Sequence, residues 1–161
     1  MDRKSLEKAL ELFKDKPVIC AEIGLAEGNN ALSIITNLNI SKIYLIDNYR
    51  QYPERRDEAL QKLEAYKDKY IFINENSYDA AEVIDDYELD YLYIDGDHTF
   101  NGVTQDLNNY IKKVNRGGII SGHDYNNTTV PGVKEAVDHF FKFKCKTVNI
   151  DAKSSDWWVY L

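Results

Sequence analysis

The chain has 161 residues, 43% of them hydrophobic, and a formal net charge of −7. That length and apolar fraction suit a single domain over 1–161, built on one core. Acid exceeds base and no basic stripe appears, which argues against nucleic acid or an anionic membrane as partner. No run approaches the ~20 apolar residues a membrane span needs.

The opening Met1-Asp2-Arg3-Lys4 leads into a charged amphipathic segment rather than an apolar signal core, which points to a cytoplasmic protein. Leu6, Leu10 and Phe13 share helical spacing over 3–15, and Pro17 stops that helix. Residues 18–23 read as a buried strand running into Gly24. A helix follows over 30–38, then a strand over 42–46 that ends at Asp47. A charged helix over 54–68 precedes a third strand at 70–73, and a short helix lies near 78–85. Leu89-Asp90-Tyr91-Leu92-Tyr93-Ile94 is the fourth strand, and it breaks off abruptly into Asp95-Gly96-Asp97-His98.

Phe100, Val103, Leu107, Ile111 and Val114 mark the next helix, and Arg116-Gly117-Gly118 reads as the turn into a fifth strand around Ile119-Ile120. Pro131 starts a helix that buries Val133, Val137, Phe140 and Phe141. The chain closes with a hairpin over 146–150 and 157–161. Cys20 and Cys145 both fall in predicted strands and, without an export signal, read as buried reduced thiols. Alternating strands and helices followed by a hairpin predict an α/β fold. It is a Rossmann-like doubly wound sheet, mostly parallel, with a C-terminal antiparallel hairpin strand and helices on both faces.

The polar residues fall at the strand ends. Gly24, Asp47, Ser77, Asp95 and Asp124 each follow a predicted parallel strand, and in this architecture those ends form one crevice where ligands bind. Gly24 permits a tight turn and close ligand approach. Asp47, about twenty residues on, stands where an acid accepts hydrogen bonds from the ribose of an adenosine-type ligand. The turn reads Gly24-x-Ala26-x-Gly28, which departs from the G-x-G-x-x-G of a pyrophosphate-binding turn. A ligand with adenosine but no pyrophosphate fits it better. His98 is a candidate base, its ordinary pKa being near neutrality. Tyr49, Tyr52, Tyr78 and Tyr125 follow strand ends and could line a pocket. His139, inside a helix, reads as structural, and Asp97 as the cap of the helix that starts near Phe100.

Glu22-x-Gly24-x-x-x-Gly28, Asp47, Ile94-Asp95-Gly96-Asp97-His98, Gly117-Gly118 and Gly122-His123-Asp124-Tyr125 together resemble the class I S-adenosylmethionine-dependent methyltransferases. Within them the chain is similar to the small-molecule subgroup with an Ile-Asp-Gly-Asp-His segment, related to macrocin-type sugar O-methyltransferases. The resemblance implies that Glu22, Gly24 and Gly28 surround the methionine part of S-adenosylmethionine, that Asp47 holds its ribose, and that Ser77 and Tyr78 border its adenine. It implies that Asp95 touches both cofactor and acceptor. It also implies that Asp95, His123 and Asp124 match the divalent-metal ligands of metal-dependent relatives. A histidine at position 123 departs from their all-oxygen set: hard Mg²⁺ wants oxygen, so His123 either lies outside the metal shell or favours a softer ion such as Mn²⁺, Fe²⁺ or Zn²⁺.

Methyl transfer to a hydroxyl needs alignment and a base or a metal. Asp95, His98 and Asp124 are the candidate catalytic set. The expected acceptor is a small molecule presenting a hydroxyl, with a sugar among the candidates, and a homodimer could close the pocket. Two other readings stay open: a nucleotide-dependent oxidoreductase, and a non-catalytic cofactor- or sugar-binding module on the same fold.

Overall fold

The computed structural model describes residues 3–161. Its helices are α1 (Lys4–Phe13), α2 (Asn29–Asn37), α3 (Glu54–Leu63), α4 (Ser77–Ala80), α5 (Phe100–Tyr110) and α6 (Gly132–Lys142). Its strands are β1 (Val18–Ile23), β2 (Ile40–Ile46), β3 (Tyr70–Ile73), β4 (Leu89–Ile94), β5 (Val114–Gly122), β6 (Asn149–Ile150) and β7 (Trp157–Tyr160). All seven strands form one sheet in the order β3-β2-β1-β4-β5-β7-β6. The first five are parallel, and β7 runs antiparallel to both β5 and β6.

The strands have two buried faces because their side chains alternate between two apolar layers. Cys20, Ile43, Leu45, Tyr91 and Tyr93 pack against Leu6, Ala9 and Phe13 of α1, Ile34 and Ile35 of α2, and Leu63 of α3. Ala21, Ile23, Ile46, Leu92 and Ile94 pack against Ala80 of α4, Leu107 and Tyr110 of α5, and Val137 and Phe141 of α6. The doubly wound architecture expected from the sequence is the one observed.

The order of strands reverses between β1 and β4, so the crevice of the fold opens there. The Asp95 N–H donates to the Ile23 carbonyl (2.8 Å) and the Gly24 N–H to the Ile46 carbonyl (2.9 Å). These bonds carry the sheet pairing one step past the strands. Gly24 has φ +84°, and a Cβ there would overlap the backbone carbonyl of Asp95. Only glycine fits that crossing.

Several boundaries differ from the sequence expectation. Cys145 lies in an exposed turn after α6, with φ +51°, and not in a strand. The chain there is still leaving the helix, and pairing begins only at Asn149. Gly117-Gly118 sits inside β5, where the β4–β5 register shifts, and not in a turn before it. Gly117 donates to the Leu161 carbonyl (2.9 Å) and Leu161 back to the Gly118 carbonyl (3.0 Å), so the irregularity still pairs with the end of the hairpin.

A buried carboxylate ties the first helix to that hairpin. Asp156, fully buried, accepts from the Ser5 N–H (3.1 Å), the Ser5 hydroxyl (2.9 Å), the Tyr93 hydroxyl (3.1 Å) and Arg3 Nη1 (3.5 Å). Four donors satisfy the charge that burial would otherwise make costly. Asp156→Ala leaves these donors without their acceptor and should cost about 3 kcal/mol. The measurement is the urea unfolding midpoint; an unchanged midpoint would mean that the network contributes nothing net.

Candidate functional site

A cleft of about 960 Å³ opens at the carboxyl edge of the sheet. The loops after β1, β2, β3 and β4 line it, together with one face of α5. Asp47 stands at the end of β2. Its Oδ2 accepts from the backbone N–H groups of Leu25 (2.8 Å) and Ala26 (3.3 Å), and its Oδ1 from that of Tyr49 (2.8 Å). The carboxylate therefore fixes the β1 loop and the β2 loop together. Ala26 and Tyr49 both take left-handed backbone conformations, with φ +47° each, and the Tyr49 hydroxyl donates to the Ala26 carbonyl (2.9 Å).

Ala26, the position where a dinucleotide turn would carry its middle glycine, lines the cleft. Gly28 does not. It caps α2 with φ +75°, and a Cβ there would press on Ala59 of α3. Backbone conformation and packing between α2 and α3 both call for glycine at this position.

Glu22 lies on β1 behind the loop and is buried. Its Oε1 accepts from Asn30 Nδ2 (3.2 Å) at the start of α2, and its Oε2 has no partner among the described residues. Burial, with Asp95 nearby, pushes its carboxyl up to about 8, against the opposing hydrogen bond from Asn30.

On the far side, Ser77 opens α4 and lines the cleft. Its hydroxyl donates to Asp106, and its carbonyl accepts from the Tyr110 hydroxyl (2.7 Å). Asp106 of α5 is 2% exposed, and burial raises it to about 6, moderated by the Ser77 hydroxyl. Sequence reading missed Asp106 as a lining residue. Its only signal was a carboxylate one position before the core residue Leu107 on an apolar helix face. Tyr78, half exposed, reaches the cleft rim.

The β4 loop supplies the sharpest constellation. His98 Nε2 sits 3.2 Å from Asp95 Oδ1 and 2.9 Å from Asp124 Oδ2. One donor atom from each of the three residues lies within 4.8 Å of the others. Asp124 follows β5 with a left-handed φ of +61°, a conformation that turns its side chain back toward β4. The hydrogen bond to Asp95, together with the charges of Asp95, Asp124 and Asp97, outweighs desolvation and raises the His98 pKa.

His123 stands apart from this cluster. It lines a second cleft of about 770 Å³ with Arg3 and Asn30, and its Nδ1 lies 3.3 Å from Asp124 Oδ1, the oxygen turned away from His98. Asp97 accepts from the Thr99 N–H (2.8 Å), while Thr99 itself caps α5 through the Gly102 N–H (3.0 Å). The cap is thus two residues later than the sequence suggests.

Residues 21–125 match the family described as methyltransferase domain. Uncharacterized protein R132 of Acanthamoeba polyphaga mimivirus is 31% identical over 126 residues, 74% of this chain and 57% of the relative. The chain therefore spans a little over half the length of that curated relative. Two solved structures share the fold. CalS11, a TDP-rhamnose 3′-O-methyltransferase of calicheamicin biosynthesis, superposes with a TM-score of 0.69 at 14% identity, over 97% of this chain and 76% of that one. An rRNA methylase from Streptococcus thermophilus superposes with a TM-score of 0.67 at 11% identity, over 96% and 91%.

The raised carboxyl of Glu22 has a consequence for stability. Its folded-state pKa of about 8 lies above the ordinary 4.5, so between these values the folded chain holds a proton that the unfolded chain has lost. This contribution is fully present below about pH 4.5 and is lost as pH rises through about 8. Glu22→Gln, which keeps the shape and the bond to Asn30, should flatten that part of the urea-midpoint profile. An equal slope in both proteins would contradict the burial argument.

Proposed function

Because the chain belongs to the methyltransferase-domain family, we propose that it is an S-adenosylmethionine-dependent methyltransferase acting on a hydroxyl of a small-molecule acceptor. The observation that carries this reading is the convergence of Gly24, Asp47, Ser77 and Asp95 on one cleft. Asp47 holds the ribose with the acceptor capacity its three backbone bonds leave free. Ser77 and Tyr78 border the adenine. The close backbone of Gly24 admits the methionine part, with Glu22 behind it.

Charge supports the cofactor. Asp47, Glu75, Asp95, Asp97 and Asp106 line the cleft against Arg50 and Arg55. An acidic cleft favours a sulfonium cation and opposes the pyrophosphate of a nicotinamide dinucleotide, which counts against the oxidoreductase reading. The net charge of −7 favours a small acceptor over a nucleic acid, although rRNA methylases are among the fold neighbours. O-methyltransferases among those neighbours are in keeping with a hydroxyl acceptor.

The cofactor brings the electrophile, so the protein must align the acceptor oxygen behind the methyl group and take its proton. We assign that task to the Asp95–His98–Asp124 cluster. His98 Nε2 lies within hydrogen-bond distance of both carboxylates, so the acceptor proton has a path among the three groups. A divalent ion on these donors would supply the Lewis acidity that lowers the pKa of an acceptor hydroxyl.

Calorimetric titration with S-adenosylmethionine tests the cofactor assignment. Asp47→Ala should weaken binding at least about tenfold, the worth of a lost charge-assisted hydrogen bond. Asp124→Asn, outside the cofactor positions, should retain binding and lose methyl transfer. Absence of binding by the intact protein would overturn the reading and favour a non-catalytic module.

A further inference from the structure

We infer that the second cleft holds the body of the methyl acceptor, and that this acceptor is a hydroxyl-rich molecule carrying an anionic group, a phosphate or a carboxylate, bound by Lys153 and Arg3. The inference rests on the methyltransferase reading and names the class of acceptor.

The first support is the relation of the two clefts. The wall between them is Asp95 and Asp124 with their outer partners. Asp124 turns Oδ2 to His98 in the larger cleft and Oδ1 to His123 in the second. Asp95 lines the larger cleft, and its Oδ2 faces Arg3, which lines the second, at 3.9 Å. Methyl transfer in line needs the acceptor oxygen on the side of the methyl group opposite to sulfur. With the cofactor in the larger cleft, a molecule lying in the second brings a hydroxyl to the same two carboxylates from that opposite side.

The second support is the chemistry of the lining. Apart from the His123 imidazole, every side chain that lines the second cleft is an amide, a hydroxyl or a charged group. Small-molecule pockets are usually mostly apolar, with a few polar groups. A lining of this kind offers a planar aromatic acceptor no surface to stack on. It suits a molecule that exchanges hydration for hydrogen bonds at many points. Asn30 lines this cleft, and its Oδ1 is buried with no donor among the described residues. A buried acceptor atom of that kind calls for a donor such as a ligand hydroxyl.

The third support is charge. Both acids of the second cleft are already engaged. Glu7 pairs with Lys4, and Asp151 accepts from the Ser154 hydroxyl (2.7 Å) and from the N–H groups of Ser154 (3.2 Å) and Lys153 (3.3 Å). The Lys153 ammonium has no partner among the described residues. Arg3 stands 3.5 Å from Asp156 Oδ1 and 3.9 Å from Asp95 Oδ2, both long for charged pairs, and keeps donors to spare. The positive charge left uncommitted in this cleft therefore faces the ligand.

Glucose 1-phosphate and glucose are the probes, since they differ only in the anionic group. Their binding to the whole protein is followed by amide shifts in nuclear magnetic resonance. Glucose 1-phosphate should bind at least about tenfold more tightly than glucose, with shifts at Asn30, His123 and Ser154. Lys153→Gln should reduce that preference about fivefold and Lys153→Glu should abolish it. Lys69→Gln, which removes the same charge at the opposite edge of the sheet, should leave it unchanged. Equal binding of the two probes overturns the inference, as does no binding of either at millimolar concentration. So do shifts confined to Arg50 and Arg55 of the larger cleft, or a preference that survives Lys153→Glu. Titration with S-adenosylmethionine should be unaffected by Lys153→Gln; a loss there would assign this cation to the carboxylate of the cofactor and also overturn the inference. The sugar probes are read without cofactor, so failure of the second cleft and failure of the methyltransferase reading give different results.

Discussion

The contact on which the rest depends is the crossing of two backbones, where the β1 loop passes over the start of the β4 loop. Gly24 lies against the carbonyl of Asp95 with no room for a side chain. The Asp95 N–H is bonded to Ile23 at the same point. This crossing locks the position of Asp95 to that of the β1 turn, and Asp47 locks the β1 turn to the β2 loop through Leu25 and Ala26. Three loops from three strands thus hold a fixed relation, set by main-chain bonds rather than by long side chains. Preorganisation of that kind is what methyl transfer requires, since its chemistry is mainly alignment.

Beneath the cleft the support is polar where a parallel sheet is usually apolar. Asp156 gathers Ser5, Tyr93 and Arg3, and Arg3 continues toward Asp95. The guanidinium also lies over the Tyr93 ring, with its centre 5.6 Å from the ring centroid. The first helix therefore does more than cover apolar surface, because the residue that caps it reaches Asp95 at the mouth of the cleft.

Much of this was legible in the sequence because it is local. A strand that stops at Asp, or a turn that starts with Gly, announces itself within a few residues, and the doubly wound sheet follows from the alternation of such segments. Gly24 and Asp47 were readable for that reason. What pairs across the fold was not. That Gly28 packs against Ala59 of α3 could not be read from the turn alone. Cys145 sits among residues that suit a strand as well as a turn. His98 reads from sequence as a base and His123 as a residue at the metal position, and only the left-handed backbone of Asp124 shows that one carboxylate oxygen goes to each. Asp106 is an acid on an apolar helix face, and only the packing of α4 against α5 explains it.

The Ser5–Asp156 bonds join residues 151 positions apart. Loop closure on that scale must follow most other contacts, because its entropy is repaid only when the intervening sheet already holds the ends close. During synthesis α1 leaves the ribosome long before the residue that fixes it exists. Its apolar face, with Leu6, Ala9 and Phe13, can pack on the sheet as β1, β4 and β5 form, but its polar tie waits for Asp156. The helix at the front of the chain is thus among the last pieces to lock, and the cluster that Arg3 touches is completed only with it.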